Sequence, residues 1–134
     1  MLRAQRRKNA ARGAAELVAL LQEANLRFPG ATAVFPHGPR VLLISPVTIR
    51  ENAVPEGPFF THDESLRFAG LYEAVAQASG VHFLDAARYA QPSPKEGTHL
   101  LPEGHAALAR VVAEQVRTVF AQAEIESKTR RTAL

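Results

Sequence analysis

An α/β domain with a parallel sheet and flanking helices is the fold class this sequence predicts, on three observations. Helical and extended segments alternate along the chain. The two clearest strand candidates, Val41-Leu42-Leu43-Ile44 and Val81-His82-Phe83-Leu84, are short and largely apolar runs. Such runs suit strands covered on both faces, as in a parallel sheet. Each is followed by a loop and then a helix, the rhythm of α/β architecture.

The elements follow in order. Over residues 14–28, Leu17, Leu20, Leu21, Ala24 and Phe28 recur at three- and four-residue spacing, the apolar stripe of an amphipathic helix. Pro29-Gly30 ends it, because proline restricts the residue before it and glycine accepts backbone angles that a helix does not use. Residues 31–39 read as a short extended piece with a turn, and 31–35 as a third strand candidate. The first apolar run closes at Ser45-Pro46. Residues 48–63 carry mixed charge, two prolines and no periodicity. A connection this long is characteristic of active-site or binding loops.

Helical spacing resumes over 64–78 through Leu66, Ala69, Leu71, Tyr72, Val75 and Ala76, with Thr61 or Asp63 as cap and Gly80 as exit. The second apolar run ends at Asp85. A Pro- and Ser-containing loop over 86–98 leads to the last helix, 102–123. Pro102 suits its first position, and Leu108, Val111, Val112, Val116, Val119 and Phe120 form its apolar face. We expect the charged residues 124–134 to fray. Two or three strands make a narrow sheet for three helices, and both clear strands look central. Their outer edges call for neighbours.

Composition narrows the function classes. The 134 residues are 46% hydrophobic and 22% charged, an ordinary globular balance. No apolar run reaches the roughly 18 residues of a membrane span. The absence of cysteine excludes disulfides, thiolate metal sites and a cysteine nucleophile. The net charge of +3 comes from Arg3, Arg6, Arg7, Lys8 and Arg12, while the remaining 122 residues carry 11 basic and 13 acidic side chains. That short cluster lacks aromatic interleaving, so nucleic acid is not an expected partner. The opening also lacks the order of a secretory signal, which favours the cytoplasm if Met1 is the true start. The basic, acid-free opening reads as the raw edge of a longer chain, with a presequence or an exposed helix start as alternatives.

The sharpest chemical signal is Glu96-Gly97-Thr98-His99-Leu100-Leu101-Pro102-Glu103-Gly104-His105. A carboxylate three residues before a histidine can fold back onto one ring nitrogen, leaving the other as a general base. The alternative is a histidine that packs beside the helix and a solvated Glu96. A metal site from His99, His105 and Glu103 lacks the HExxH spacing. Glu96, Glu103 and Asp85 do not form a convincing glycosidase pair. His37 and His62 read as surface loop residues, and His82 as a structural histidine.

The stretch HFLDAARYAQPSPKEGTHLLPEGHAALARVVAEQV resembles the C-terminal part of the SGNH (GDSL-type) serine hydrolases. That family's last block is an Asp, two residues and the catalytic His, followed by Leu, a small polar residue, Pro, an acid, Gly and His. HLLPEGHAAL matches from His99 onward. RVLLISPV at 40–47 is similar to the family's central strand, HFLDAA to the strand before the final catalytic loop, and AAELVALLQEANLRFPG to the helix after its third block. The resemblance covers about residues 14–121. It implies a partial flavodoxin-like sheet in a three-layer α/β/α fold lacking N-terminal strands. The implied domain occupies 14–123, between a basic N-terminal tail or truncated edge at 1–13 and a charged tail at 124–134.

By the same resemblance, His99 is the catalytic base and Glu96 its orienting acid, where the family has Asp. Asp85 is an alternative orienter on chemistry. The family's Gly-Asp-Ser nucleophile block and Gly-x-Asn-Asp segment have no counterpart here. Among Ser45, Ser65, Ser79, Ser93 and Ser127, Ser45 is the best placed, at the carboxyl end of a strand. Ser45-Pro46 is nonetheless not a strand-to-helix elbow. The expectation is the C-terminal portion of a serine esterase or acyltransferase, inactive alone, needing no cofactor or metal. Its partners would be a small-molecule ester substrate in the assembled domain and a complementing N-terminal segment or a second copy. A non-catalytic degenerate domain that binds a partner is the competing expectation.

Overall fold

The computed structural model describes residues 2–27, 40–51, 53 and 61–132. The elements are α1 (Leu2–Arg27), β1 (Leu42–Ser45), α2 (His62–Ser65), α3 (Phe68–Ser79), β2 (His82–Asp85), a 3₁₀ turn (Ala86–Arg88) and α4 (Pro102–Thr132). Residues 28–39, with the third strand candidate and His37, lie outside the described residues, as do 52 and 54–60 in the long loop.

The two apolar runs pair as parallel strands, with Leu42 opposite His82, Leu43 opposite Phe83, Ile44 opposite Leu84 and Ser45 opposite Asp85. Both strands sit one residue later than the apolar runs. The polar Ser45 and Asp85 belong to the ladder because they satisfy each other: the Ser45 hydroxyl donates to Asp85 Oδ1 at 3.2 Å. The connection from β1 to β2 runs through α2 and α3, the helical crossover that parallel pairing requires.

Helix α3 packs on both strands and α1 packs on α3. Thr61 caps α2 by accepting from the Glu64 N–H. A turn at Leu66-Arg67 separates α2 from α3 within the span expected as one helix. Gly80 adopts φ 64°, the left-handed exit that lets Val81 N–H donate to Ala76 O at 3.0 Å. That closure turns the chain directly into β2.

The two terminal helices extend beyond the expected periodic segments. Helix α1 runs back through the basic opening, whose Ala4, Ala10 and Ala11 favour helix. Its buried side is not the leucine stripe: Ala14 and Val18 are buried, and Gln22, on the same side, donates to Ser79 O at 2.8 Å. Small side chains at four-residue spacing allow close approach to α3, where Ala76 is also buried. Leu17, Leu20 and Leu21 remain exposed, at 65%, 54% and 49%. Helix α4 continues past Ala123 to Thr132. Near its far end Glu126 pairs with Arg40 at 2.7 Å, just ahead of β1. Val119 is buried while Phe120 is not, so the apolar face of α4 is only partly covered among the described residues.

Candidate active site

The loop between the 3₁₀ turn and α4 is closed by its own backbone. Pro92 and Leu100 form an antiparallel bridge, Ser93 N–H donates to His99 O at 2.7 Å, and Gly97 N–H donates to Ser93 O at 2.8 Å. Pro92 is fully buried at the loop's base. Gly97 takes φ 80° at the tip, a left-handed angle that favours glycine. A Cβ there would also stand 2.7 Å from Ala53 Cβ and 2.9 Å from Ala53 Cα, so the tip is pressed against the segment after β1.

This tight turn folds the Glu96 carboxylate back over Thr98 and His99. Oε1 accepts from the His99 N–H at 2.7 Å. Oε2 accepts from the Thr98 N–H at 3.2 Å, from the Thr98 hydroxyl, and from His99 Nδ1 at 3.0 Å. The Thr98 hydroxyl, the largest contributor, acts with the His99 N–H, the imidazole and the Thr98 N–H against an opposing desolvation to lower the Glu96 pKa from 4.5 to about 2. The group is therefore an ionised acceptor across ordinary pH. An ionised carboxylate cannot donate, so the proton in the Glu96–His99 bond sits on Nδ1. Thr98 Oγ1, 3.1 Å from Nδ1, is a second acceptor for it.

In the neutral ring the tautomer carrying the Nδ1 proton leaves Nε2 as a lone-pair acceptor. Nε2 makes no hydrogen bond among the described residues, and the His99 side chain is 81% exposed. The extra methylene of Glu96 relative to Asp is taken up by the loop: the carboxylate reaches the ring and both neighbouring amides together. Pro102 opens α4 immediately after, and Leu101 O accepts from Gly104 and His105 N–H at 2.9 and 3.1 Å.

Asp85 is engaged away from His99. Its Oδ1 receives the Ser45 hydroxyl and the Ala87 N–H at 3.0 Å, which starts the 3₁₀ turn, and it makes no bond to His99. Ser45 is only 1% exposed, so the best serine candidate from sequence is a buried structural group. Ser65 and Ser93 are buried as well. Ser65 Oγ accepts from Ile49 N–H and donates to His62 O, while Ser93 Oγ accepts from Lys95 N–H. No serine hydroxyl meets His99 among the described residues. His105 is exposed on the first turn of α4, and no group of three metal-ligating side chains gathers among the described residues.

No family model and no curated protein matches the chain. Solved structures do. A protein of Agrobacterium tumefaciens C58 described as an arylesterase aligns over 83% of this chain and 51% of its own, with TM-score 0.71 and 29% identity. A carbohydrate acetylesterase family member from Sinorhizobium meliloti aligns over 84% and 52%, with TM-score 0.71 and 27% identity. The M. smegmatis aryl esterase shares the fold at TM-score 0.65 and 24% identity, over 84% and 52%. The fold is of the SGNH-hydrolase type. The chain spans about half the length of these solved proteins.

Within the SGNH-type fold, the parallel pair and the loop before α4 are the elements that carry the resemblance seen in sequence. Three further residues shape the loop. Thr98 carries a local signal, since a hydroxyl two residues after an acid is a common turn partner. Arg50 and Ala53, both in the long loop, reach residues 92–97 across more than forty positions, so only the fold brings them together. His62, expected as a surface residue, is half-buried and donates from Nδ1 to Ile49 O.

Proposed function

We propose that the chain is the C-terminal portion of an SGNH-type serine esterase or acyltransferase acting on carboxylic esters. His99 is its general base, Glu96 is the orienting acid, and the nucleophilic serine comes from residues outside this sequence. The observation that carries the reading is the Glu96–His99 pair, with Nδ1 held by an ionised carboxylate and Nε2 unengaged. The likeness to solved proteins called arylesterase and carbohydrate acetylesterase supports carboxylic esters as the substrate class.

In the assembled enzyme, His99 Nε2 takes the serine proton as the oxygen attacks the ester carbonyl. The imidazolium then protonates the departing alcohol as the C–O bond breaks. Water or an acceptor alcohol releases the acyl group by the reverse proton path, with His99 again as base. Glu96 holds the ring tautomer and stabilises the positive charge that appears on it in each half-reaction.

Fluorophosphonate labelling tests this reading. The 134-residue chain should remain unlabelled, and a product extended by the missing half of the domain should label on one serine. Stoichiometric labelling of the short chain would place the nucleophile within it and overturn the proposal.

A second reading is favoured by Leu17, Leu20, Leu21 and Phe120, which are apolar, exposed and on two helices. It makes the chain a non-catalytic subunit that covers these faces with a partner. An extended product that stays unlabelled, together with stable association of the short chain, would favour it.

A further inference from the structure

Arg50 sits five residues after β1, and its main chain and side chain reach the two limbs of the loop that carries Glu96 and His99. Its N–H donates to Gly97 O at 2.9 Å, at the loop tip. Its Nε donates to Pro92 O at 2.7 Å, at the loop base. Proline has no N–H, so its carbonyl is the one backbone polar group this buried residue has to satisfy. The same loop is held internally by Ser93 and His99, so fixing residues 92 and 97 fixes the backbone from which both Glu96 and His99 project.

Arg50 is itself anchored. Ala53 N–H donates to Arg50 O at 3.1 Å, and Ala53 is the residue against which Gly97 is pressed. The preceding residue, Ile49, donates its N–H to Ser65 Oγ at 2.9 Å and receives His62 Nδ1 at its carbonyl. A continuous hydrogen-bonded path therefore runs from α2 through Ile49 and Arg50 to the loop. Arg50 makes no bond to the imidazole or to the Glu96 carboxylate.

From this arrangement we infer that Arg50 is a positioning residue for His99, setting the direction of Nε2 through the loop backbone. The inference rests on the reading of Glu96 and His99 as the working pair. The Nε donation is the part a substitution can remove, since the N–H to Gly97 survives any change except proline. A planar guanidinium donates along a fixed direction, which an ammonium does not reproduce. Arg50 also belongs to the wall of a cavity of about 340 Å³ shared with Tyr89, Gln91 and Leu101.

The test is nitrogen-15 NMR of the His99 imidazole in the full 134-residue chain, with Arg50→Ala beside the wild type at alkaline pH. In the wild type the shifts should be those of the tautomer with the proton on Nδ1. In Arg50→Ala they should move toward the tautomer with the proton on Nε2, which free histidine favours. The Glu96 carboxyl midpoint should rise from about 2 toward 4.5. A merely structural role would lower the unfolding temperature and leave both signals in place, and that result overturns the inference. Arg50→Lys should restore the signals only in part.

If Arg50→Ala does not fold, the scalar coupling across the Nε–Pro92 carbonyl bond in the wild type decides. Its presence together with partial loss of the signals in Arg50→Lys supports the inference, and its absence overturns it. The two readings fail separately. In the extended enzyme, His99→Ala with turnover intact removes the catalytic pair. A large loss in His99→Ala, with imidazole signals untouched by Arg50→Ala, removes only the role of Arg50.

Discussion

Glu96 Oε2 lies 3.0 Å from His99 Nδ1 while Oε1 of the same carboxylate accepts the His99 backbone N–H at 2.7 Å. One side chain thus holds both the ring and the main chain of a single residue. The arrangement couples the direction of Nε2 to the conformation of a four-residue turn, and it makes the ionisation of Glu96 a reporter on that turn.

Glu96 should titrate near pH 2. Its folded value is below the ordinary 4.5, so its contribution to stability is complete above the ordinary carboxylate range and is lost as pH falls toward and through about 2. At 41% exposure the contribution is screened by water and small. Carbon-13 NMR of the Glu96 carboxyl checks the midpoint, and a midpoint at 4.5 would show that the turn is not formed. Glu96→Gln should flatten this part of the acid limb of the stability curve.

Thr98→Val removes the hydroxyl that contributes most to the lowering. The Glu96 midpoint should rise, while the backbone N–H groups of Thr98 and His99 keep it below the ordinary value. An unchanged midpoint by the same NMR titration would mean that the hydroxyl is solvated rather than on Oε2.

Gly97→Ala meets two obstacles at one position. The left-handed backbone angle costs about 1–2 kcal/mol for a residue with a Cβ, and the added carbon collides with Ala53. We expect a destabilisation of about 2 kcal/mol or more by denaturant unfolding. Ala53→Gly in the same chain should recover part of it. Full additivity of the two changes would mean that Gly97 and Ala53 are not in contact.

Ser45→Ala should be a mild change. It removes one neutral buried hydrogen bond, worth about 1 kcal/mol, while Asp85 Oδ1 keeps the Ala87 N–H. In the extended product, fluorophosphonate labelling should be unaffected. Loss of labelling would identify Ser45 as a nucleophile despite its burial.

Much of this fold was legible because its signals are local. The apolar runs marked β1 and β2, Thr61 marked the cap of α2, Gly80 the exit of α3, and Pro102 the start of α4. The Glu96–His99 pair was legible for the same reason, since three residues and a glycine suffice to fold a carboxylate onto a ring. The buried side of α1 was not. Its leucine stripe has the stronger periodicity, but contact with α3 selected the small Ala14 and Val18. Ser45 and Asp85 carried two readings each, and only strand register decided between them by placing the residues opposite each other. Arg50 had no signal at all, because its partners are backbone carbonyls that any residue could supply.

The central claim is that His99 acts as the general base, and turnover of an ester by the extended enzyme carrying His99→Ala tests it most directly. The account predicts a fall in kcat of about 10²–10⁴-fold, with the variant folded and KM little changed. Turnover near that of the unsubstituted enzyme would contradict it.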